Sequence, residues 1–537
     1  MLFRFCNVCC NNLNSTFVTT LRRYARAAAK SRKKEKALPI ESTETRNEEL
    51  KVISCKRKDF NFYKGTTYPK RGVIPLASDG WLHRKSRGDY FYILPYDNES
   101  EKDTDKRLEN KTFDDFNLDP SICSQFEKFD IKKPLEVQQL GIPKILNRNN
   151  ALLTAETGCG KTLAYLLPLM HRILQWKQII QKPMNQPFAI ILTPTRELAV
   201  QIAIESIKWS KELGIKVRMI TGGRTKRKIR NPQIEYVDIL VGSFGVISKL
   251  FTVGVYKPDL VRCLILDEVD ALCHYTFEDK VKHFLNKFPI AHHQQLGDDG
   301  FPSTVQLVLA SATVPSRLAN ILAGIVDVNS LEHVSTKKLH RILVKQKFIR
   351  MGPSDKPAEL LKYIKPKVAK KHSVIIFSNT SATSYWLTLF LKECGIETTN
   401  LHGDMPLSQR IGKYGSFLNR KTYVLSATNA GSRGLDTVMV NHILNYDFPL
   451  DTASYIHRCG RTGRVGTIGN CMVTNFISKP AEVAIVKTLE RAARRLKPIP
   501  VFDTLHQKED EEEMMTPEPH YPERIVESLD DPNDIPF

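Results

Sequence analysis

Short, strongly apolar runs alternate with longer stretches of helical periodicity from about residue 113 onward. In the first half of the chain these runs are NALLTA, FAIILTPT, VRMITGG, DILVGS, CLILDE and VQLVLASAT. They are too short and too uniformly apolar for surface helices, and they suit strands buried on both faces of a parallel sheet. Between them lie segments such as TLAYLLPLMHRILQW, from Thr162 to Trp176, whose apolar residues recur at helical spacing.

The same alternation restarts in the second half of the chain. Its apolar runs are SVIIFSNT, TYVLSAT, NHILNYD and GNCMVTNF, from about Ser373 to Phe476. This pattern predicts an α/β protein with two doubly wound parallel-sheet domains in tandem, residues 112–334 and 335–500. Active sites form at the carboxyl ends of such strands, so we expect the two domains to face each other across a cleft.

The N-terminal end has the composition of a targeting segment. The first 34 residues contain eight Lys or Arg and no Asp or Glu, and they have no continuous apolar core like that of a secretory signal. We therefore predict a mitochondrial transit peptide over residues 1–36, with Arg22-Arg23-Tyr24 resembling a matrix-peptidase cleavage site. The basic run SRKKEK at 31–36 leaves a nuclear or nucleolar address as the alternative.

Two further segments flank the predicted domains. Residues 37–111 are charged and interrupted by Pro and Gly, which predicts a basic and mostly flexible extension, with order beginning near Phe113. Its aromatic residues lie among Lys and Arg, a mixture that can also stack on nucleic-acid bases. The acidic tail, residues 501–537, is predicted to be disordered.

The charge of the chain favours a polyanionic partner. The formal net charge is +21, although the segment 509–537 carries −10 from 11 acidic residues and one basic residue, Arg524. The remaining residues therefore carry +31, which favours nucleic acid. No apolar stretch reaches the length that spans a bilayer, so we expect no membrane partner.

The 11 cysteines are scattered along the chain, as expected for free thiols in a reducing compartment. Cys6, Cys9 and Cys10 have the spacing of half a zinc site, but no second half with matching spacing follows. We expect no zinc.

A phosphate-binding loop is predicted directly after the run NALLTA. The sequence AETGCGKT, residues 155–162, supplies Gly158 and Gly160 for a tight loop whose backbone N–H groups can surround phosphate oxygens. Lys161 adds a positive charge for the terminal phosphates, and Thr162 adds a hydroxyl for Mg²⁺. Ala155 stands where this loop usually has Gly.

An acidic pair ends a later strand. CLILDEVD places Asp267 and Glu268 after an apolar run. One carboxylate there can hold Mg²⁺ through water, and its neighbour can orient or deprotonate an attacking water. Together with the phosphate loop, this pair favours hydrolysis of a nucleoside triphosphate.

From Phe113 to Pro498 the sequence resembles the DEAD-box RNA helicases, whose major motifs are present in order: PTREL at 194–198, SAT at 311–313, LHGDM at 401–405 with Arg410 downstream, SRGLD at 432–436 and YIHRCGRTGRVG at 455–466. The resemblance implies two RecA-like domains, RNA as partner, and ATP and Mg²⁺ as cofactors. Catalysis is then expected from Lys161, Asp267, Glu268, Arg461 and Arg464, with the two arginines as arginine fingers and with Thr162 and Asp267 at the metal. Nucleotide contacts are expected from Phe113, Gln138, Thr157, Gly158, Cys159, Gly160, Lys161, Thr162 and Asp436. RNA contacts are expected from Pro194, Thr195, Arg196, Gly222, Gly223, Thr428 and Arg433, and coupling between the ATP and RNA sites from Ser311, Ala312, Thr313 and His457.

Several positions depart from the family pattern. Val269 replaces the Ala of the DEAD motif, and Leu135 replaces the usual Thr of the glutamine motif. Val246, in GSFGV, stands where the family has an Arg that contacts RNA. Asn429 replaces an Asp and removes a charge that we place at the domain interface. These changes predict weaker coupling of ATP turnover to RNA without loss of chemistry.

Cys159 lies in the phosphate loop at a helix N-terminus, beside Lys161. Such surroundings lower the pKa of a thiol, so one hypothesis is that oxidation of Cys159 blocks ATP binding. The alternative is an inert small residue.

The sequence therefore predicts an ATP-dependent RNA helicase of the mitochondrial matrix that binds and locally remodels structured RNA. Ribosomal RNA and assembly of the mitochondrial ribosome, with its assembly proteins, are the favoured partners and process. Two alternatives remain: a catalytically weak, ATP-dependent RNA clamp or scaffold, and a nucleolar rRNA helicase.

Overall fold

The computed structural model describes residues 51–66, 68, 74–96, 111–181, 183–222, 229–273, 276–403, 405, 407–429, 435 and 437–501. The predicted transit peptide and the acidic tail beyond residue 501 lie outside these residues. So do three predicted site residues, Gly223, Arg433 and Asp436.

A seven-stranded, all-parallel sheet forms the first domain, in the order β10-β4-β9-β8-β5-β7-β6. Its strands are β4 Ala151–Thr154, β5 Ala189–Thr193, β6 Val217–Ile220, β7 Ile239–Ser243, β8 Cys263–Asp267, β9 Gln306–Ser311 and β10 Glu332–Ser335. Its helices are α1 Pro120–Lys128, α2 Glu136–Leu146, α3 Lys161–Ile179, α4 Arg196–Ser210, α5 Phe244–Thr252, α6 Val269–Leu272, α7 Glu278–Leu285 and α8 Leu318–Leu322. The central strands β4, β5, β7, β8 and β9 are buried at every position, as their apolar sequences predict.

The second domain is built on a nine-stranded sheet in the order β13-β14-β12-β15-β16-β11-β3-β1-β2. Its strands are β1 Lys51–Cys55, β2 Phe62–Tyr63, β3 Tyr90–Ile93, β11 Lys345–Arg350, β12 Val374–Ser378, β13 Thr398–Leu401, β14 Val424–Thr428, β15 His442–Asn445 and β16 Met472–Ile477. Its helices are α9 Lys356–Ala369, α10 Ser381–Glu393, α11 Leu407–Leu418, α12 Thr452–Cys459 and α13 Pro480–Arg494. The strands from β13 to β11 pair in parallel, whereas β3, β1 and β2 add to the β11 edge as antiparallel strands.

The ten apolar runs of the sequence all form strands, and the two parallel-sheet domains are confirmed. Strands β11 and β13 have sequences that the pattern misses. The strand β11, KQKFIR, alternates buried and more exposed positions, so it lacks a continuous apolar run. The strand β13, TTNL, is buried although three of its four residues are polar.

The N-terminal segment is where the sequence-based prediction is wrong. We expected residues 37–111 to be mostly flexible, with order starting near Phe113. Instead, residues 51–96 form three strands of the second domain, and Trp81 and Phe91 are fully buried in its core. The chain therefore contributes to the second domain before it enters the first.

A buried carboxylate fastens this N-terminal segment to the last helix. Glu490 of α13 is 0% exposed and accepts hydrogen bonds from the backbone N–H groups of Ala77 (2.7 Å) and Ser78 (3.0 Å) and from the Ser78 hydroxyl (2.7 Å). Arg494, one turn later, pairs with the same carboxylate at 2.8 Å. The charge of Glu490 is thus satisfied on all sides, as burial of an ion requires.

No helix in the described part of the chain combines the length and apolar character needed to cross a bilayer. Cys6, Cys9 and Cys10 lie outside that part.

Replacing Glu490 with Ala should destabilise the second domain strongly. The change leaves Arg494 buried without its partner and two backbone N–H groups without an acceptor, a loss of about 3–5 kcal/mol. The matched control is Lys487→Ala, which breaks the exposed pair between Lys487 and Asp79 on the same helix and should cost about 1 kcal/mol or less. Thermal unfolding measures both changes. Equal shifts in melting temperature for the two variants would contradict the assigned role of Glu490.

Candidate active site in the cleft between the domains

The loop between β4 and α3 has the shape of a phosphate cradle. Gly158 and Gly160 adopt φ values of +82° and +91°, a region open to glycine and strained for other residues. The helix α3 begins at Lys161, so its free N–H groups and positive dipole end point at the loop. The Lys161 ammonium donates to the carbonyls of Ala155 (2.5 Å) and Glu156 (2.8 Å), across the concave side of the loop.

The acidic pair lies at the carboxyl end of β8. Asp267 is 5% exposed, and its carboxylate accepts hydrogen bonds from the Tyr165 hydroxyl and the Glu268 N–H, both at 2.8 Å. Burial raises the pKa of Asp267 to about 6, and the charge of Glu268 adds to this, while Lys161 and the two hydrogen bonds oppose it. Glu268 itself has φ +49°, a strained backbone of the kind found at functional sites.

The acidic pair and Thr162 fit a hydrated Mg²⁺. The Oε2 atom of Glu268 is buried and has no hydrogen-bond partner among the described residues. A buried carboxylate oxygen without a partner is costly, and a metal-bound water would satisfy it. Within the same residues no group of three or more His, Cys, Asp or Glu forms a metal cage, and Mg²⁺ beside nucleotide phosphates needs few protein ligands.

Both predicted arginine fingers reach this site from the other domain. Arg461 follows α12, is 3% exposed, and places Nη2 at 3.4 Å from Oε1 of Glu268. Arg464 lies over the phosphate loop, so closely that a Cβ added at Gly158 would be 2.7 Å from its Cγ. The Thr157 hydroxyl also donates to the Gly460 carbonyl at 2.7 Å. The structure thus brings Lys161, Asp267, Glu268, Arg461 and Arg464 together in one closed cleft.

A polar chain connects the acidic motif with the predicted coupling residues. Asp270, at the end of DEVD, accepts a hydrogen bond from Thr313 at 3.2 Å and pairs with His457 of the second domain at 2.7 Å. Ser311 and Ala312 complete the turn after β9, and a hydrogen bond joins the Ser311 hydroxyl to the Thr313 N–H. Two of the predicted coupling residues therefore meet at one carboxylate across the cleft.

The predicted adenine-reading residues lie beside the phosphate loop. Phe113 is 5% exposed and stacks on Phe126, with ring centroids 3.9 Å apart. Gln138 is 2% exposed and uses both ends of its amide, accepting from Leu135 N–H (2.9 Å) and donating to the Gly160 carbonyl (3.2 Å). In this state Gln138 braces the phosphate loop.

The predicted RNA residues lie at the carboxyl ends of strands. Thr195 caps α4, and the Arg196 guanidinium packs against Gly222, where an added Cβ would be 2.8 Å from Nη2. Pro194 directly precedes this cap, and Thr428 ends β14. Val246, which replaces the family's arginine, is 4% exposed and packs into the core of the first domain.

An ion pair that the sequence did not reveal links the domains near this region. The Arg410 guanidinium lies 2.9 Å from the Glu197 carboxylate, and both side chains are almost buried. Arg410 was noted from its motif. Its partner on α4 is 213 positions earlier, and no local pattern connects the two.

Two expectations for single residues change. Burial raises the pKa of the Cys159 thiol more than Lys161 lowers it, so the hypothesis of an activated thiolate is wrong in direction. Asn429 accepts a hydrogen bond of 2.6 Å from Arg458, a buried residue of its own domain that also donates to Asn379 and Asn445. Asn429 thus helps to satisfy a buried guanidinium.

The segment that joins the domains touches the catalytic motifs, a contact that no sequence pattern indicated. The His340 Nε2 donates to the Ala312 carbonyl at 3.0 Å, and the Thr336 hydroxyl donates to the Glu156 carboxylate at 2.9 Å. His340 has φ +59°, and burial lowers its pKa, which favours the neutral ring that this single hydrogen bond needs.

His340→Gly should weaken the coupling of RNA binding to ATP turnover. The substitution keeps the positive φ and removes one hydrogen bond, worth about 1 kcal/mol or about fivefold in rate. We expect the RNA-stimulated kcat to fall by that factor while basal turnover stays unchanged. His340→Asn tolerates the same backbone but is too short to reach Ala312, so it should behave alike. Equal losses of basal and stimulated turnover would indicate a merely structural role.

The acid limb of the pH profile should report Asp267. Metal binding needs the ionised carboxylate, so kcat/KM for magnesium ATP should fall as the pH drops through about 6. Tyr165→Phe removes a donor that favours the ionised form, so this limb should move to higher pH. Tyr363→Phe, another buried tyrosine but in the second domain, is the control and should leave the limb in place. An unchanged limb in Tyr165→Phe would contradict this account.

The cleft has room for a nucleotide. A cavity of about 680 Å³ opens between the domains, within the range typical of small-molecule sites. Its walls include the phosphate loop, both acidic residues and both arginines. This arrangement defines a nucleoside triphosphatase of two α/β domains whose site is complete only when the domains close.

Comparison with known proteins identifies the family. The model of DEAD/DEAH box helicases matches residues 135–321, and that of the helicase conserved C-terminal domain matches residues 355–466. The chain is 34% identical over 474 residues to the mouse (Mus musculus) probable ATP-dependent RNA helicase DDX28, covering 85% of this chain and 87% of that protein. The human (Homo sapiens) protein of the same name is 33% identical over 461 residues, covering 84% and 85%. The chain belongs to the DEAD-box ATP-dependent RNA helicases, which are RNA-stimulated ATPases.

Solved structures agree. The structure of S. cerevisiae Dbp5 bound to RNA and ADP BeF3 superposes with a TM-score of 0.59 at 25% identity, covering 76% of this chain and 100% of that one. Mss116p bound to ssRNA and AMP-PNP has a TM-score of 0.59 at 22% identity, covering 74% and 79%, and supports the fold.

Proposed function

We propose that this helicase binds and locally remodels structured RNA in the mitochondrial matrix, with ribosomal RNA and mitochondrial ribosome assembly as its substrate and process. The observation that carries the catalytic part is the contact between Arg461 and Glu268, which joins a finger of one domain to the acidic motif of the other. The compartment is supported by the acid-free, basic composition of the first 34 residues. The process follows from that compartment, because ribosomal RNA is its abundant structured RNA.

Each residue of the cleft has a chemical task in this proposal. Lys161 and the loop N–H groups bind the phosphates, and Thr162 and Asp267 hold Mg²⁺, which would neutralise phosphate charge. Glu268 orients the attacking water and accepts its proton. Arg461 and Arg464 neutralise the charge that develops on the transferred phosphoryl group, and they can do so only in the closed state.

Closure also explains how ATP would act on RNA. Arg196 and Gly222 in the first domain and Thr428 in the second line the strand ends where RNA is expected to bind. When the domains close, both sets can grip one strand through its phosphates, which displaces the paired strand locally. Contacts to phosphates carry no sequence information, so the choice of RNA would come from elsewhere in the chain.

Steady-state ATPase rates with and without structured RNA test the catalytic proposal. We expect RNA to stimulate turnover in protein that lacks residues 1–24. Lys161→Ala should abolish the stimulated rate, and Glu268→Gln should lower it by about 10² to 10⁴ because a general base is lost. Glu393→Gln, an exposed residue of α10, is the matched control and should retain full activity.

Two outcomes would contradict parts of the proposal. ATP-dependent RNA binding with a rate no higher than that of Lys161→Ala would favour the RNA clamp. For the compartment, residues 1–40 fused to a fluorescent protein should direct it to mitochondria, and a nuclear signal alone would favour the nucleolar helicase.

A further inference from the structure

The N-terminal strands create a sheet face outside the ATP cleft. In β3 and β11 alternate residues point to opposite sides, and Phe91, Ile93 and Phe348 occupy the buried side, each with 0% exposure. Tyr90 and Tyr92 of β3 and Lys345 and Lys347 of β11 therefore share the other side. Tyr92 pairs directly with Lys347 in the antiparallel register. We call these four side chains the tyrosine–lysine face.

The tyrosine–lysine face is open to solvent. Lys345 is exposed, and Tyr90, Tyr92 and Lys347 are half-buried. Neither tyrosine belongs to a buried hydrophobic cluster of the described residues. Ile349, the next residue of β11 on this side, does pack against the cluster that includes α9, so the helix covers the sheet only up to that point.

Aromatic rings and ammonium groups are interleaved on this face. The Lys345 Nζ lies 4.8 Å from the Tyr92 ring centroid, and the Lys347 Nζ lies 5.2 Å from that of Tyr90 and 5.3 Å from that of Tyr92. The two tyrosine rings are 5.8 Å apart, edge to face. Each lysine is thus held over a ring, within the range of a cation–π interaction.

The positive charge of the face is not balanced by carboxylates. No ion pair within the described residues joins Lys345 or Lys347 to an Asp or Glu. Lys367 of α9 lies beside Lys347, and burial together with the positive charges of Lys347 and Lys370 lowers the pKa of Lys367. The region therefore has a positive potential that favours an anionic ligand.

We propose that the tyrosine–lysine face is a second RNA-binding surface, specific for single-stranded RNA and independent of ATP. Sheet faces that bind single strands combine aromatic rings, which stack on unpaired bases, with cations that contact phosphates. The acidic tail of the chain would satisfy the lysines but offers few partners for the rings. Duplex RNA keeps its bases stacked inside the helix, so it would leave the rings unused as well.

Such a surface would change how the enzyme handles RNA. The cleft grips RNA only while the domains are closed, whereas the tyrosine–lysine face belongs wholly to the second domain. A strand held there would stay tethered when the cleft opens, which keeps its effective concentration high for the next cycle.

RNA affinity of the full chain without nucleotide tests this inference, with fluorescence anisotropy of a labelled oligouridine as the readout. Lys345→Glu combined with Lys347→Glu should raise Kd at least about tenfold and reduce the slope of log K against log salt by about two, one for each lost phosphate contact. Tyr92→Ala should weaken binding without changing that slope. Lys257→Glu combined with Lys280→Glu, two exposed lysines of the first domain, makes the same charge change and should have little effect.

ATPase activity without RNA should be the same in all these variants, which separates this inference from the proposed catalytic function. An unchanged Kd and salt slope in the double lysine variant, with its melting temperature preserved, would overturn the proposal. So would binding of a peptide of residues 509–537 that the double variant abolishes while RNA affinity stays constant. That result would assign the face to the acidic tail.

Discussion

Catalysis in this molecule depends on one electrostatic contact between two domains. Glu268 ends a strand of the first domain, and Arg461 follows a helix of the second, with 3.4 Å between their charged atoms. Neither residue can complete the site alone, because the base lies on one domain and the cation for the developing phosphate charge lies on the other. The remaining interdomain contacts, such as His457 with Asp270 and Arg410 with Glu197, stabilise the same closed arrangement.

The path of the chain adds a constraint to this closure. Residues 51–96 belong to the second domain, residues from Phe113 to β10 form the first, and β11 re-enters the second. The chain therefore crosses between the domains twice. The later crossing, near His340, touches the turn of Ala312, so the orientation of the domains and the state of the catalytic motifs are physically connected.

Much of the fold and of the ATP site follows from local sequence. Strands buried on both faces must be apolar throughout, so β4, β5 and β8 were predictable, and the motif order placed the catalytic residues. Other features depend on distant partners. Glu490 looks like an ordinary surface residue until its bonds to Ala77 and Ser78, more than 400 positions away, are known. The flexible extension was predicted because polar, turn-rich segments rarely fold alone, and here an existing sheet edge and a buried carboxylate provide the missing partners.

The most direct test of closure is the distance between the domains in solution. Fluorophores placed through non-canonical amino acids at Lys257 and Lys421, exposed residues of the first and second domains, would report it by energy transfer. We expect one short distance when a single-stranded RNA and ADP with beryllium fluoride are both present, and a longer one with ADP alone. Arg461→Ala should shift the population toward the longer distance. Unchanged energy transfer in all states of an enzyme that still hydrolyses ATP would contradict the account.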